Sequence, residues 1–213
     1  MPAVSQGQRE IRLLRTGTFL IDQPRTDPSE QWFGLRKADS EWALVRVVPS
    51  IWAVEDACSG RATRISVDGA TDFLVLIEGA LKLAEGSVSA TIHSPRFLYP
   101  GEGLDVGVRR HDGYTLEALG RAHREVGGVV FEDYQLWIRR RRQTQLIASF
   151  ERTTIDNPRQ LLWAGDIDRD ARPDPLFNFP LGDVGDNYVL FLSSYATATE
   201  LVSRVAQFST PGC

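Results

Sequence analysis

Three neighbouring segments decide the fold: Val129-Val130-Phe131, then Tyr134-Gln135-Leu136-Trp137-Ile138-Arg139, then Gln143-Thr144-Gln145-Leu146-Ile147-Ala148-Ser149. Each has the length and the β-branched and aromatic content of a strand. The run Arg139–Arg142 falls where the second segment turns back into the third. It reads as a solvated hairpin end, with charges that discourage edge-to-edge association.

The same grammar extends in both directions. Upstream, Asp112-Gly113 is a hairpin signal between Val106–Arg110 and Tyr114–Leu119. Glu117–Glu125 has an alternative reading as a short helix, which Gly120 weakens. Trp42–Val48 alternates, with Trp42, Leu44, Arg46 and Val48 on one side. Phe73–Glu78 and Tyr188–Ser193 are apolar runs suited to buried strands, and Val88–His93 alternates up to Ser94-Pro95. Downstream, Leu161–Ala164, Pro175–Phe179 and Thr199–Phe208 complete the set. Short strands divided by Gly, Pro and Asp turns predict a mostly β chain, an antiparallel sandwich or two packed β units. Residues 1–30, with Pro24 and Pro28 among many polar residues, read as a partly flexible N-terminal arm. Residues 31–213 form the β domain, with a subdomain division expected near 95–103.

Bulk properties exclude some functions. The 213 residues are 42% hydrophobic and 24% charged, an ordinary globular balance. A net charge of -4 argues against a nucleic-acid partner, because phosphate binding needs a dominant basic surface. No stretch approaches the roughly 20 apolar residues of a membrane helix. Cys58 and Cys213 are the only cysteines and lack the spacing of a zinc site. They are expected to form one disulfide, hence an oxidising compartment. Met1–Gln8 lacks the apolar core of a signal peptide, so an exported protein would have had its leader replaced.

The sharpest chemical signal is Leu161-Leu162-Trp163-Ala164-Gly165-Asp166-Ile167-Asp168-Arg169-Asp170-Ala171-Arg172-Pro173-Asp174. Asp166, Asp168, Asp170 and Asp174 occupy positions one, three, five and nine of a loop, and Arg172 offers its backbone carbonyl at position seven. Calcium takes six to eight oxygen ligands, and alternate residues of a curled loop turn inward to supply them. Carboxylates this close repel by several kcal/mol without a cation, even at an effective dielectric of about 20. Magnesium rarely accepts so many protein carboxylates. Asp183, Asp186 and Asn187 are candidates for a further oxygen. Phe177 stands where an EF-hand needs its bidentate Glu, and the flanks read as strands. Ala171 replaces the usual Gly at position six, where the turn wants a positive φ.

The strand–loop–strand setting resembles the calcium loops of FG-GAP and integrin-type β-propeller repeats. With Leu190–Ser194, Val205-Ala206 and the terminal Cys213, the tail resembles the C-terminal part of a group of uncharacterised bacterial exported proteins. The resemblance implies export and a bound cation. One copy of the loop excludes a propeller, which needs at least about four blades.

Catalytic motifs are not evident. His93, His111 and His123 form no metal or triad motif. Ser193 and Ser194 read as turn or cap residues, and Glu132-Asp133 as adjacent strand residues that cannot face one cleft. Trp42, Trp137 and Trp163 read as core, and Trp32-Phe33-Gly34 is the better surface candidate. The expected function is therefore a non-enzymatic periplasmic or secreted β-protein with a calcium-stabilised loop and a protein partner. An immunity protein against a secreted antibacterial toxin is one version. A carbohydrate or surface-adhesion module and an envelope hydrolase are the competing classes.

Overall fold

The computed structural model describes residues 11–22, 24, 26, 30–56, 60–68, 72–79, 83–109, 112–126, 128–154, 159–181 and 185–211. Cys58 and Cys213, the expected disulfide, lie outside the described residues, as do His111 and Asp183.

The chain is nearly all β, with 66% of it in strands and every ladder antiparallel. The strands are β1 Arg12–Leu14, β2 Gly17–Phe19, β3 Trp32–Ala38, β4 Glu41–Val47, β5 Pro49–Val54, β6 Ala62–Val67, β7 Phe73–Glu78 and β8 Gly86–Ile92. They continue as β9 Arg96–Phe97, β10 Gly103–Asp105, β11 Tyr114–Glu125, β12 Gly128–Arg140, β13 Gln143–Thr154, β14 Gln160–Asp166, β15 Asp174–Asn178, β16 Gly185–Leu192 and β17 Ser203–Pro211. Ten of them form one sheet in the order β1-β7-β3-β4-β8-β14-β15-β16-β17, with β9 also on β14. Its end strands β1 and β17 come together, so the sheet is a nearly closed barrel and not a propeller. A four-stranded meander, β10 to β13, and a three-stranded sheet, β2-β6-β5, complete the fold.

Two cores follow from the period-two alternation of side chains. One contains Leu35, Leu44, Val75, Ile77, Trp163, Leu176 and Leu190. The other contains Leu116, Leu136 and Ile138 of the meander with Phe177, Val189 and Phe191 of the large sheet. Consecutive residues Leu176 and Phe177 thus serve opposite cores, as do Val189 and Leu190. That is why β15 and β16 read as continuous apolar runs: both faces are buried. A cut near 95–103 would separate β14–β17 from β8, to which β14 is paired.

Several local expectations change. Glu117–Glu125 is strand, with a bulge between Leu119 and Arg121 where Gly120 adopts φ 156°. Among the described residues, Gly103–Asp105 is what pairs with β11 ahead of Tyr114, and Val106–Arg109 follows outside the ladder, Arg110 lying outside the described residues. Asp112 accepts from the Arg109 amide at 2.9 Å. The alternation from Trp42 fails at its end: Val47 is buried and Val48 is 79% exposed ahead of Pro49. Within the segment read as an arm, β1 pairs with β7 and β2 with β6. Trp32 is buried beneath the Arg12 guanidinium, 5.3 Å from its ring, and Trp52 is the exposed indole.

Candidate metal centre

The loop at 166–174 joins β14 to β15, whose last ladder pair is Gly165 with Asp174. Gly165 is required here: a Cβ would lie 2.2 Å from the Ser89 carbonyl oxygen and 2.5 Å from the Trp163 ring. The absence of a side chain lets β14 close on β8 at the mouth of the loop.

The loop is folded by its own carboxylates. Asp166 Oδ2 accepts from the Ala171 amide and Asp174 Oδ2 from the Ile167 amide, each at 2.9 Å. Arg169 and Ala171 take φ values of 63° and 65°. Ala171 therefore adopts the left-handed conformation that the spacing demands, at the steric cost glycine would avoid. The Arg169 guanidinium leaves the loop and donates to the carbonyls of Ala84, Glu85 and Ser87 at 2.9, 3.1 and 3.3 Å.

The 3₁₀ turn Ser193–Tyr195, directly after β16, closes the loop from the side. Ser193 donates to Asp174 Oδ1 through both its amide, at 2.8 Å, and its hydroxyl, at 3.0 Å. Ser194 Oγ donates to Asp168 Oδ2. Ser193 and Ser194 cap a turn, as their type suggests, but the turn belongs to a different hairpin. No local signal in the sequence points to that.

Asp166, Asp168 and Asp174 converge. All three are buried, and one oxygen from each lies within 4.8 Å of the others. Asp174 is fully buried, and Asp166 and Asp168 are each 8% exposed. The Oδ1 atoms of Asp166 and Asp168 are buried without a hydrogen-bond partner. Among the described residues no Arg or Lys forms an ion pair with the three. Burial pushes the Asp166 carboxyl up despite the Ala171 amide it accepts. Burial and then the neighbouring charge of Asp168 push Asp174 well up.

Asp170 stands outside this group. Its Oδ2 accepts from Arg172 Nε at 2.9 Å and Nη2 at 2.6 Å, and its Oδ1 from the Arg172 amide at 2.9 Å. Ser193 Oγ adds contacts at 3.1 Å. Arg172 thus turns back on the carboxylate two residues earlier. Asp186 is bonded to Asn178 and to the Tyr188 hydroxyl at the opposite end of β16, and Asn187 accepts from Ser209. Neither approaches the loop.

The arrangement suits a hard cation. Two oxygens on opposite sides of one calcium ion at roughly 2.4 Å each are about 4.8 Å apart. Two desolvated oxygens with nothing to accept from are the donors such an ion needs. Elsewhere, polar residues that invite a catalytic reading are engaged with one another. His123 bonds Glu125 at 2.9 Å, and Arg121 pairs with both Asp133 at 2.6 Å and Glu132 at 3.6 Å. No protein-family model matches the sequence, no curated protein matches it, and no solved structure matches its fold. The likeness to integrin-type loops accordingly rests on the spacing of residues 166–174.

Proposed function

We propose that this chain is a non-catalytic, exported binding protein whose β14–β15 loop is held by one calcium ion. Asp166, Asp168 and Asp174 would hold it. The observation that carries the reading is the pair of buried, unpartnered Oδ1 atoms on Asp166 and Asp168, in a group of three converging buried aspartates that, among the described residues, forms no ion pair with Arg or Lys. Burial of the cluster favours a structural over a catalytic ion, since a catalytic metal keeps a position open to substrate. Calcium is favoured over magnesium, which prefers to keep several waters and takes few protein carboxylates.

A protein partner is supported by the exposed aromatic of Trp52, 42% accessible on the three-stranded sheet. Tryptophan is enriched among residues that anchor protein interfaces. An immunity protein in a calcium-bearing compartment is one form of this role. Calorimetric titration of chelated protein should give a single calcium-selective site. No binding heat, or equal affinity for magnesium, would remove the calcium reading. Recovery of a partner from periplasmic extract by the wild-type protein but not by Trp52→Ala would support the interaction. Equal recovery by both would count against Trp52 as the anchor.

A further inference from the structure

A groove lies between β13 and the face of the large sheet formed by β15 to β17. Its cavity measures about 460 Å³, within the range of small-molecule sites. Gln145 links the two sheets beside it, accepting from the amides of Leu201 and Val202 at 2.6 and 3.1 Å and donating to the Val202 carbonyl at 2.7 Å. Much of the wall is apolar, from Ile147 and Phe150 of β13, Phe179 and Leu181 after β15, and Val189 and Phe191 of β16, while Ser149 and Asn187 add polar edges. None belongs to the aspartate loop.

Two arginines also line this groove, Arg159 and Arg204. Arg159 is 8% exposed. Its guanidinium lies 4.2 Å above the Phe150 ring, and Nη1 donates to the Pro180 carbonyl at 2.6 Å. Its Nε is buried without a partner. Among the described residues no carboxylate pairs with Arg159 or Arg204. Arginine does not shed its proton in proteins, so the buried charge cannot be relieved by neutralisation. A buried, uncompensated cation is costly, and the aromatic face offsets only part of that cost.

A largely apolar groove with the buried Arg159, the exposed Arg204 and, among the described residues, no paired carboxylate points to an anionic ligand with an apolar chain. We propose that this groove binds an alkyl carboxylate, its head group paired with Arg159 and Arg204 and its chain laid against Phe150, Phe179, Phe191 and Leu181. A carboxylate can accept from guanidinium nitrogens that have no protein partner, and one negative charge costs less to desolvate among aromatic walls than a phosphate dianion.

The test is a calorimetric titration with dodecanoate below its micellar concentration, with dodecanol as the uncharged control. Dodecanoate should saturate one site, and dodecanol should bind about ten-fold or more weakly. Arg159→Gln should weaken dodecanoate by a similar factor and leave dodecanol unchanged. Because Arg159 is buried, a second pair of variants uses the exposed Leu181. Leu181→Asp should weaken dodecanoate, and Leu181→Lys should keep or strengthen it, with both melting as wild type does. Absence of dodecanoate binding, equal binding of dodecanol, or the same response from both Leu181 variants would overturn the proposal.

Discussion

Replacing Asp168 by alanine separates a metal-held loop from a loop held by hydrogen bonds alone. At the 4.8 Å limit that bounds the three carboxylate oxygens, two full charges repel by roughly 3.5 kcal/mol at an effective dielectric of about 20. Asp168 takes part in two such pairs. Burial pushes the Asp166 and Asp174 carboxyls up, which works against the fully charged cluster and lessens that repulsion. Removing Asp168 relieves what repulsion is left and gives up the Ser194 hydroxyl bond, worth about 1 kcal/mol. In chelator these effects offset each other, and the variant should melt close to wild type. In calcium at about 100-fold above its Kd, wild type gains about 2.7 kcal/mol. For a chain of this size that is a rise of roughly 5–11 °C in Tm. Asp168→Ala should lose that rise. The assay is a thermal melt of both proteins in chelator, calcium and magnesium. Equal destabilisation of the variant in chelator and in calcium would refute the reasoning, because Asp168 would then act only through protein contacts.

Other outcomes follow from the same geometry. Ser193→Ala deletes the hydroxyl bonds to Asp174 and Asp170 and should cost about 1–3 kcal/mol in chelator as well as in calcium, measured by denaturant unfolding. Ala171→Gly relieves a φ of 65° and should stabilise the protein by about 1 kcal/mol while tightening calcium binding. Gly165→Ala drives a Cβ into the Ser89 carbonyl and should cost about 3 kcal/mol, read from the same unfolding curves. Calcium affinity should fall on mild acidification. Burial pushes Asp166 and Asp174 up, so protons compete with the ion at a higher pH than they would at free aspartates, and a pH-independent affinity would contradict their role as ligands.

Much of the fold was legible because alternation is a local property. The meander β11–β13, the arginine-tipped hairpin and the buried runs of β7 and β16 all stand where the residue pattern puts them. Three of the four loop aspartates meet as their spacing predicts, and Asp170 does not, because Arg172 lies within reach of it in the same turn. Pairings distant in sequence were illegible. Nothing near Ser193 or Ser194 announces that they cap a loop some twenty residues earlier. Trp32, the expected surface candidate, is buried and Trp52 is exposed, because burial depends on which sheet covers a strand, and a strand's own residues do not specify that. Arg159 carries no motif at all; its significance comes from what the fold leaves out around it.

The position of β14 bears on how the chain can be made. Ser89 of β8 finds Asp166 of β14, while the whole meander lies between them in sequence. As the polypeptide leaves the ribosome, β8 exists with an open edge until β14 has been synthesised. The meander can meanwhile form from consecutive hairpins of low contact order. Joining the two halves of the large sheet through β8 and β14 is then the late, entropically expensive event, and it occurs at the strand that ends in Asp166. An ion taken up there would trap the joined form just as it is reached. Refolding in chelator would therefore be slowed at its last phase, with the unpaired edge of β8 the surface through which incomplete molecules aggregate.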